Sequence, residues 1–192
     1  MIEVSTAERR DRSARPCPLP PASQLHRFLS QPGYTDSFKI AASPEGMSIL
    51  EIYVALLGHI PGAFKHLLVL RSLVVRPFGI GGVTYGDLTA PPDTRRVYAP
   101  GDKVGRWTLY SETRDEIITG RNDKHLDFRV SVFRDREATR ERVVLSTSAQ
   151  VHNTFGRAYL STILPFHRFG VSQLLVRAAR AGRLGLANPA GG

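Results

Sequence analysis

Three side chains able to take part in chemistry alternate along NDKHLDFRVSVF, residues 122–133. His125, Asp127 and Arg129 occupy every second position, with apolar residues between them. Residues two apart on a β-strand point to the same face, so these groups would share one surface. A carboxylate beside an imidazole orients the ring and raises its basicity, as in a general base. On a solvated strand face the same groups make only weak ion pairs, worth about 0–1 kcal/mol. The sequence leaves both interpretations open.

A second histidine joins this row if residues 125–133 and 142–153 form a hairpin. The two alternating patterns predict a register that sets His125 opposite His152 and Asp127 opposite Gln150. A slip of one residue would turn every side chain to the other face, whereas a two-residue shift would keep the same faces, so the division into a polar and an apolar face is firmer than the pairing. The candidate catalytic residues are therefore His125, Asp127 and His152. We expect the interior to receive the apolar side chains of Leu126, Phe128 and Val130.

The strand before this hairpin leaves one alternative open. With a two-residue turn at Asn122 and Asp123, Glu116 would face Arg129 on the polar side as a cross-strand ion pair. With a three-residue turn, Glu116 would change face. The sequence does not decide between these turns.

Other catalytic and metal-binding chemistry has little support in the sequence. Cys17 is the only cysteine, and no set of Cys and His residues has the spacing of a zinc site. No Gly-x-Ser-x-Gly nucleophile elbow occurs. The GIGG run at 79–82 follows a predicted helix rather than the strand that a dinucleotide loop requires. We therefore expect neither a metal nor a cofactor.

The composition is that of one globular domain. The chain has 192 residues, of which 42% are hydrophobic and 22% charged. Its net charge of +9 suggests nucleic acid as a partner, but the basic residues are spread along the chain, so we expect no specific nucleic-acid binding. Charges and a proline interrupt the most apolar region, residues 49–75, which excludes a membrane span there. No secretory signal is recognisable, and we expect a cytoplasmic protein of undetermined oligomeric state.

The predicted elements follow in a simple order. Residues 1–32 are polar and proline-rich, so we expect a disordered arm, followed by one domain over 33–182 and a flexible tail over 183–192. A first strand is predicted at YTDSFKIAA, 34–42. A helix opens with a possible capping box from Ser48 to Glu51 and ends at Gly58, and a second helix spans 61–76. Further strands are predicted at 106–113, 116–121, 125–133 and 142–153.

A long C-terminal helix completes the fold. It is predicted from Thr154 to about residue 181, with Asn153 or Thr154 as its N-cap and a kink or restart near Pro165. One stripe of this helix should cover the sheet, namely Tyr159, Ile163, Phe166 and Gly170 or Phe169. The fold class is therefore α+β, with a curved antiparallel sheet packed on the C-terminal helix and two short helices after the first strand.

Three stretches together carry a resemblance: residues 67–80, 120–133 and 151–171. Their motifs are HLDFRVSV and HNxxGRxYLxxIxPFHR, of which the second is the most specific. They resemble an uncharacterised bacterial domain-of-unknown-function family, some of whose members stand alone while related ones follow a Rossmann-like NAD-binding domain. That family looks like part of the helix-grip superfamily, which includes START lipid-transfer domains, plant pollen allergens and polyketide cyclases. The resemblance covers about residues 34–180 and implies a helix-grip fold. It carries over no oxidoreductase role, because a shared fold alone does not transfer function.

Three functional hypotheses remain. The first is binding of a small apolar or amphipathic ligand in a cavity between the sheet and the C-terminal helix. Its candidate ligand-binding residues are Arg71, Phe128, Arg129, Tyr159, Ile163 and Phe166. The second is an enzyme of cyclase, dehydratase or isomerase type, with His125 or His152 as the base in that cavity. The third is an interaction module for a separate oxidoreductase or an acidic partner.

Overall fold

The computed structural model describes residues 13–28, 33–59, 92–136 and 141–185. Within these ranges the strands form a single antiparallel sheet, in the order β1-β2-β7-β6-β5-β4-β3. The long strands β6 and β7 lie near its middle. The strands are β1 Arg15–Pro16, β2 Tyr34–Ala41, β3 Lys103–Val104, β4 Trp107–Glu112, β5 Glu116–Arg121, β6 Leu126–Asp135 and β7 Arg142–Val151.

Helix α1, Ile49–Leu57, begins where the sequence predicts it. The Ser48 hydroxyl accepts from the Glu51 amide at 3.2 Å, and the Glu51 carboxylate accepts from the Ser48 amide at 2.7 Å. This is the reciprocal capping box, and the helix ends at Gly58 as predicted. The predicted second helix, 61–76, and with it Arg71, lies outside the described residues.

Helix α2, Thr154–Arg180, is the long C-terminal helix. Asn153 caps it, because its side-chain oxygen accepts from the Gly156 amide at 2.9 Å. The helix continues through Pro165, so of the two predicted alternatives, a kink or a restart, the restart does not occur. Gly182, with φ of 68°, follows its end in the left-handed conformation that glycine adopts most readily.

The β6–β7 register is the one that the alternation predicts. Phe128 pairs with Ala149, and Arg129 pairs with Ser148. Phe128 and Val130 belong to the side of the sheet that packs against both helices, which we call the helix side. Arg129 therefore lies on the opposite, outer side. The α+β class and the two-sided hairpin are confirmed.

The β5–β6 connection is longer than either turn that we considered. Arg121 pairs with Phe128, so the register moves and Glu116 lies opposite Phe133 instead of Arg129. Glu116 is nevertheless on the outer side, as Ser131 is, and the Ser131 hydroxyl donates to its carboxylate at 2.5 Å. The Glu116–Arg129 ion pair, which a two-residue turn would have allowed, is not formed.

A dense apolar core joins the helix side of the sheet to the helices. Ile40, Leu145, Val132 and Ile117 are at most 1% exposed. The helices contribute Ile52 and Leu56 of α1 and Val171, Leu175, Ala178 and Ala179 of α2. Burial of such side chains contributes about 25 cal/mol per Å² of apolar area and is the main stabilising term of the fold.

Both ends of the described chain extend beyond the predicted domain. Leu184, which lies in the predicted flexible tail, is fully buried in the core, and Arg183 donates to the Ala55 carbonyl at 2.7 Å. Residues 13–28 are also structured, which corrects the expectation of disorder there: β1 pairs with β2, and a 3-10 helix, Gln24–Arg27, covers the outer side. The reason is a buried anchor that composition does not reveal. The division into arm, domain and tail is otherwise still a prediction.

That anchor is the carboxylate of Glu116, which is 3% exposed. It accepts from the Ser23 hydroxyl at 2.5 Å and from the Gln24 amide at 2.6 Å, in addition to its bond from Ser131. Leu25 is buried beside these bonds. Residues 13–28 are thus held to the sheet by hydrogen bonds to a buried charge, which are among the stronger hydrogen bonds in proteins.

The buried stripe of α2 is rotated from the predicted one. Val171 and Leu175 face the core, and stepping back four residues from Val171 reaches His167 rather than Phe166. Phe166 and Phe169 are consequently 70% and 58% exposed. The prediction that Phe166 covers the sheet is wrong. Within the described ranges, no helix combines the length and apolarity needed to cross a membrane.

Candidate functional site

The helix side of the sheet becomes polar towards one end. Strand pairing sets Asp36 of β2, Thr147 of β7, Val130 of β6 and Thr119 of β5 side by side in one row. The neighbouring row is wholly apolar and belongs to the core, and it consists of Phe38, Leu145, Val132 and Ile117. A polar row therefore borders the core directly, under the middle of α2.

Asp36 and His167 meet in this row. The Asp36 side chain is 5% exposed, and its Oδ1 lies 3.6 Å from Nε2 of His167, which α2 presents from its buried stripe. Among the described residues, neither of these two atoms has a hydrogen-bond partner. Buried polar atoms are nearly always hydrogen-bonded, since an unsatisfied one costs about 1–3 kcal/mol. The two atoms are at ion-pair distance from each other but lack a hydrogen bond, and incompletely satisfied buried polar atoms of this kind are found at functional sites.

Tyr34 and Arg168 complete the polar cluster. The Tyr34 hydroxyl donates to Asp36 Oδ2 at 2.5 Å, and Arg168 Nε lies 3.9 Å from the same oxygen. The Tyr34 ring meets the His167 ring edge-on, with 6.3 Å between centroids. Burial raises the pKa of the Tyr34 phenol, and the hydrogen bond to Asp36 raises it further. Tyr34 thus acts as a neutral donor, and only one oxygen of Asp36 is satisfied.

Apolar side chains near this cluster are half-buried, unlike those of the core. Phe128 belongs to the row of Tyr34 and Ala149, and its ring meets that of Trp107 edge-on at 5.6 Å. The half of α2 above this end contributes further half-buried apolar side chains, namely Leu160, Ile163 and Leu164. Polar atoms that lack hydrogen bonds among the described residues thus share this side of the sheet with incompletely covered apolar surface, a combination suited to an amphipathic molecule.

The predicted catalytic row is on the other side of the sheet. His152 Nε2 lies 3.2 Å from Asp127 Oδ1, so the imidazole–carboxylate pair forms, but strand alternation directs Asp127 away from α2. Nδ1 of His125 lies 3.1 Å from Asn153 Oδ1, and the His125 ring packs against the Phe155 ring at a tilt of 51°, beside the start of α2. The enzyme hypothesis placed these groups between helix and sheet, and this geometry does not match it.

Arg129, a predicted ligand-binding residue, also lies on the outer side. It is 5% exposed and stacks over the Tyr110 ring, with its guanidinium carbon 3.7 Å from the ring centre. It donates to the Phe128 carbonyl at 2.8 Å and to Asn122 Oδ1 at 2.7 Å. Burial lowers the pKa of this guanidinium. Its contacts hold the β5–β6 connection, away from the space under α2.

The remaining predicted ligand-binding residues divide into two groups. Phe128, Tyr159 and Ile163 are half-buried and belong to the helix side of the sheet or to the half of α2 above the polar row. Phe166 is exposed on the far side of α2. In the described ranges, no group of three or more His, Cys, Asp or Glu side chains is arranged to hold a metal ion.

Asp36 and His167 were not among the predicted site residues, although the sequence contains a signal for each. In YTDSFKIAA, Asp36 has the same parity as Phe38 and Ile40, so a strand must direct it towards the core. His167 precedes Val171 by four residues, one helical turn along the buried stripe. A charged residue on an apolar strand face and a histidine on an apolar helix stripe together mark the site.

One comparison with known proteins gave a match. A family model described as "Protein of unknown function (DUF2867)" matches residues 28–174. The match covers more than half of the chain and supports the expectation of an uncharacterised domain family. Neither the curated proteins nor the solved structures gave a match.

Proposed function

The chain belongs to this family of proteins of unknown function, and we propose that it binds a small apolar or amphipathic ligand between α2 and the Tyr34 end of the sheet. The observation that carries the proposal is the Asp36–His167 pair, with two buried polar atoms 3.6 Å apart that lack hydrogen bonds among the described residues. A ligand group that donates to Asp36 Oδ1 would satisfy one of them and offset part of its desolvation cost.

The apolar part of the ligand would supply most of the binding energy. Phe128, on the helix side of the sheet, and Ile163 and Leu164 of α2 are half-buried, so a ligand between helix and sheet would cover apolar area that the chain leaves partly open. Each Å² removed from water contributes about 25 cal/mol before the costs of association are counted. The polar row would then orient the molecule, as the few polar groups of apolar pockets commonly do.

The arrangement of the elements supports this proposal. The C-terminal helix lies across an antiparallel sheet. The space between them is filled by the core at one end and lined by half-buried side chains at the other. This is the arrangement of the helix-grip superfamily, which three stretches of this chain resemble. We therefore place the chain in that superfamily as part of the proposal. The likeness is one of fold, and the proposed ligand class rests on the site itself.

Native mass spectrometry of the full chain, purified without denaturant, tests the proposal. We expect a fraction of the wild-type protein to carry added mass, released by organic solvent. Ile163→Trp should remove that mass, because the larger side chain enters the proposed space. Thr162→Trp, at the next position but on the exposed side of α2, is the matched control and should keep it. A wild-type protein that carries no added mass, or equal retention in both variants, would contradict the proposal.

A further inference from the structure

The face of α2 that points away from the sheet carries two exposed phenylalanines. Phe166 and Phe169 are 70% and 58% exposed, although phenylalanine is usually buried in a folded domain. They are three residues apart and therefore adjacent on the helix surface. Single exposed apolar residues need no explanation, but adjacent aromatic rings on one helix face mark an interaction surface.

The same face is basic and carries no acidic residue. The sequence of α2 contains neither Asp nor Glu. Helical periodicity places Arg177 and Arg180 on the face of Phe166 and Phe169, opposite the stripe of Val171 and Leu175. Arg177 and Arg180 are exposed. We call Phe166, Phe169, Arg177 and Arg180 the outer face of α2.

Two aromatic rings beside arginines on an acid-free helix match one kind of partner best. An amphipathic helix lies in the membrane interface when aromatic residues enter the boundary between headgroups and acyl chains and basic residues meet anionic lipid. Nucleic acid would use the arginines but would leave two rings on a regular helix without a role. A protein partner would also bury rings and arginines, but a stable interface takes about 800 Å² from each side, more than four side chains on one helix face supply.

We propose that the outer face of α2 docks on the surface of an anionic bilayer, with Phe166 and Phe169 inserted and Arg177 and Arg180 against lipid phosphates. Docking needs no spanning segment, since the opposite stripe of α2 stays packed on the sheet. The net charge of +9 adds a long-range attraction to an anionic surface. This proposal does not depend on a ligand under α2, because it uses the other side of the helix.

Flotation of the full chain with vesicles tests the docking. The probes are vesicles of phosphatidylcholine alone and of phosphatidylcholine mixed with phosphatidylglycerol, at low and at high salt. We expect binding to the mixed vesicles that weakens with salt. Phe166→Ser with Phe169→Ser should weaken it at least about tenfold, because two buried rings are lost. Arg177→Ser with Arg180→Ser should also weaken it about tenfold, on mixed vesicles only.

Matched variants control for the loss of one apolar or one basic group elsewhere. Val97→Ser removes an apolar side chain that is 93% exposed, and Arg95→Ser removes an exposed charge; both should bind as the wild type does. Thermal unfolding should show that the serine variants of the exposed rings stay folded. Three results would overturn the proposal: no binding to mixed vesicles, equal binding to both vesicle types, or phenylalanine variants that bind mixed vesicles as the wild type does. In the last case, loss of a dimer in sedimentation would identify the two rings as a contact between copies of the chain.

Discussion

Asp36 Oδ1 and His167 Nε2 lie 3.6 Å apart between strand β2 and helix α2, in a position where an apolar pair would continue the core. Asp36 belongs to a strand whose next inward-facing residues, Phe38 and Ile40, are buried hydrophobic residues. His167 belongs to the same helix stripe as Val171 and Leu175. The fold thus places a polar pair where packing alone would favour leucine, and its energetic cost can be measured.

Replacing both members of the pair with leucine is expected to raise the free energy of unfolding by about 1–4 kcal/mol. Apolar packing then replaces two polar groups that lack full hydrogen bonding. His167→Leu alone is expected to lower it, since the Asp36 carboxylate stays buried and loses a polar neighbour. Urea unfolding of both single variants and the double variant measures these values. A double variant clearly less stable than the wild type would show that the pair is kept for stability rather than for function.

Tyr34→Phe is expected to change the stability of the protein at alkaline pH. Burial, with the hydrogen bond to Asp36, raises the pKa of the folded-state phenol above its ordinary value of 10.0. The unfolded chain therefore loses the phenolic proton first, so the stabilising contribution is complete below about pH 10 and declines as the pH rises beyond it. Urea unfolding should be measured between about pH 9 and pH 11, on both sides of the phenol's ordinary pKa. The free energy of unfolding should decline less steeply with pH in the variant than in the wild type.

The comparison isolates Tyr34, although burial also raises the pKa of Tyr53. Tyr53 is present in both proteins and contributes the same decline to each, so any difference in slope belongs to Tyr34. Equal slopes would mean that the phenol of Tyr34 is not shifted in the folded protein.

Glu116→Ala is expected to release residues 13–28 from the sheet. The variant loses three hydrogen bonds to a buried carboxylate, from Ser23, Gln24 and Ser131, and should be less stable by about 3 kcal/mol or more. Trypsin should then cut after Arg27 faster than in the wild type. Glu45→Ala removes an exposed carboxylate and serves as the control. Unchanged cleavage in Glu116→Ala would show that these bonds do not hold the segment.

Gly156→Ala is expected to destabilise the protein, although alanine normally favours a helix over glycine by about 1 kcal/mol. A methyl group at Gly156 would lie 2.2 Å from the carbonyl oxygen of His125, so α2 would have to move away from the hairpin. We expect a loss of about 1–3 kcal/mol in thermal or urea unfolding. Ser161→Ala, on the exposed side of α2, should change little. A more stable Gly156→Ala variant would contradict the close contact of helix and strand.

The hairpin and the first helix could be predicted from the sequence because their signals are local. The alternation along β6 and β7 separates a mainly apolar side from a mainly polar side, and the Ser48–Glu51 capping box forms from neighbouring residues. The β5–β6 connection could not be predicted in the same way. Contacts between side chains and the main chain hold it, including the Asp123 amide bonded to Asp127 Oδ1 at 3.0 Å.

The candidate site was not predicted because Asp36 and His167 each interrupt an apolar pattern, and they belong to elements far apart in the sequence. Hydrophobicity alone predicts that Phe166 and Phe169 are buried. The rotation of α2 about its axis, however, depends on packing near Gly156 and Val171. The structure of residues 13–28 likewise depends on Glu116, far along the chain, and the segment has no apolar period of its own. Such pairings are tertiary, and local propensity carries no information about them.

A crystal structure of the full chain, purified without denaturant, tests the central claim most directly. The measured quantity is the electron density around Asp36 Oδ1 and His167 Nε2, beside Phe128 and Ile163. We predict density for an organic molecule within hydrogen-bonding distance of at least one of these two polar atoms and in contact with the half-buried apolar side chains. Solid packing of protein side chains in this space, with both polar atoms bonded within the protein, would contradict the account.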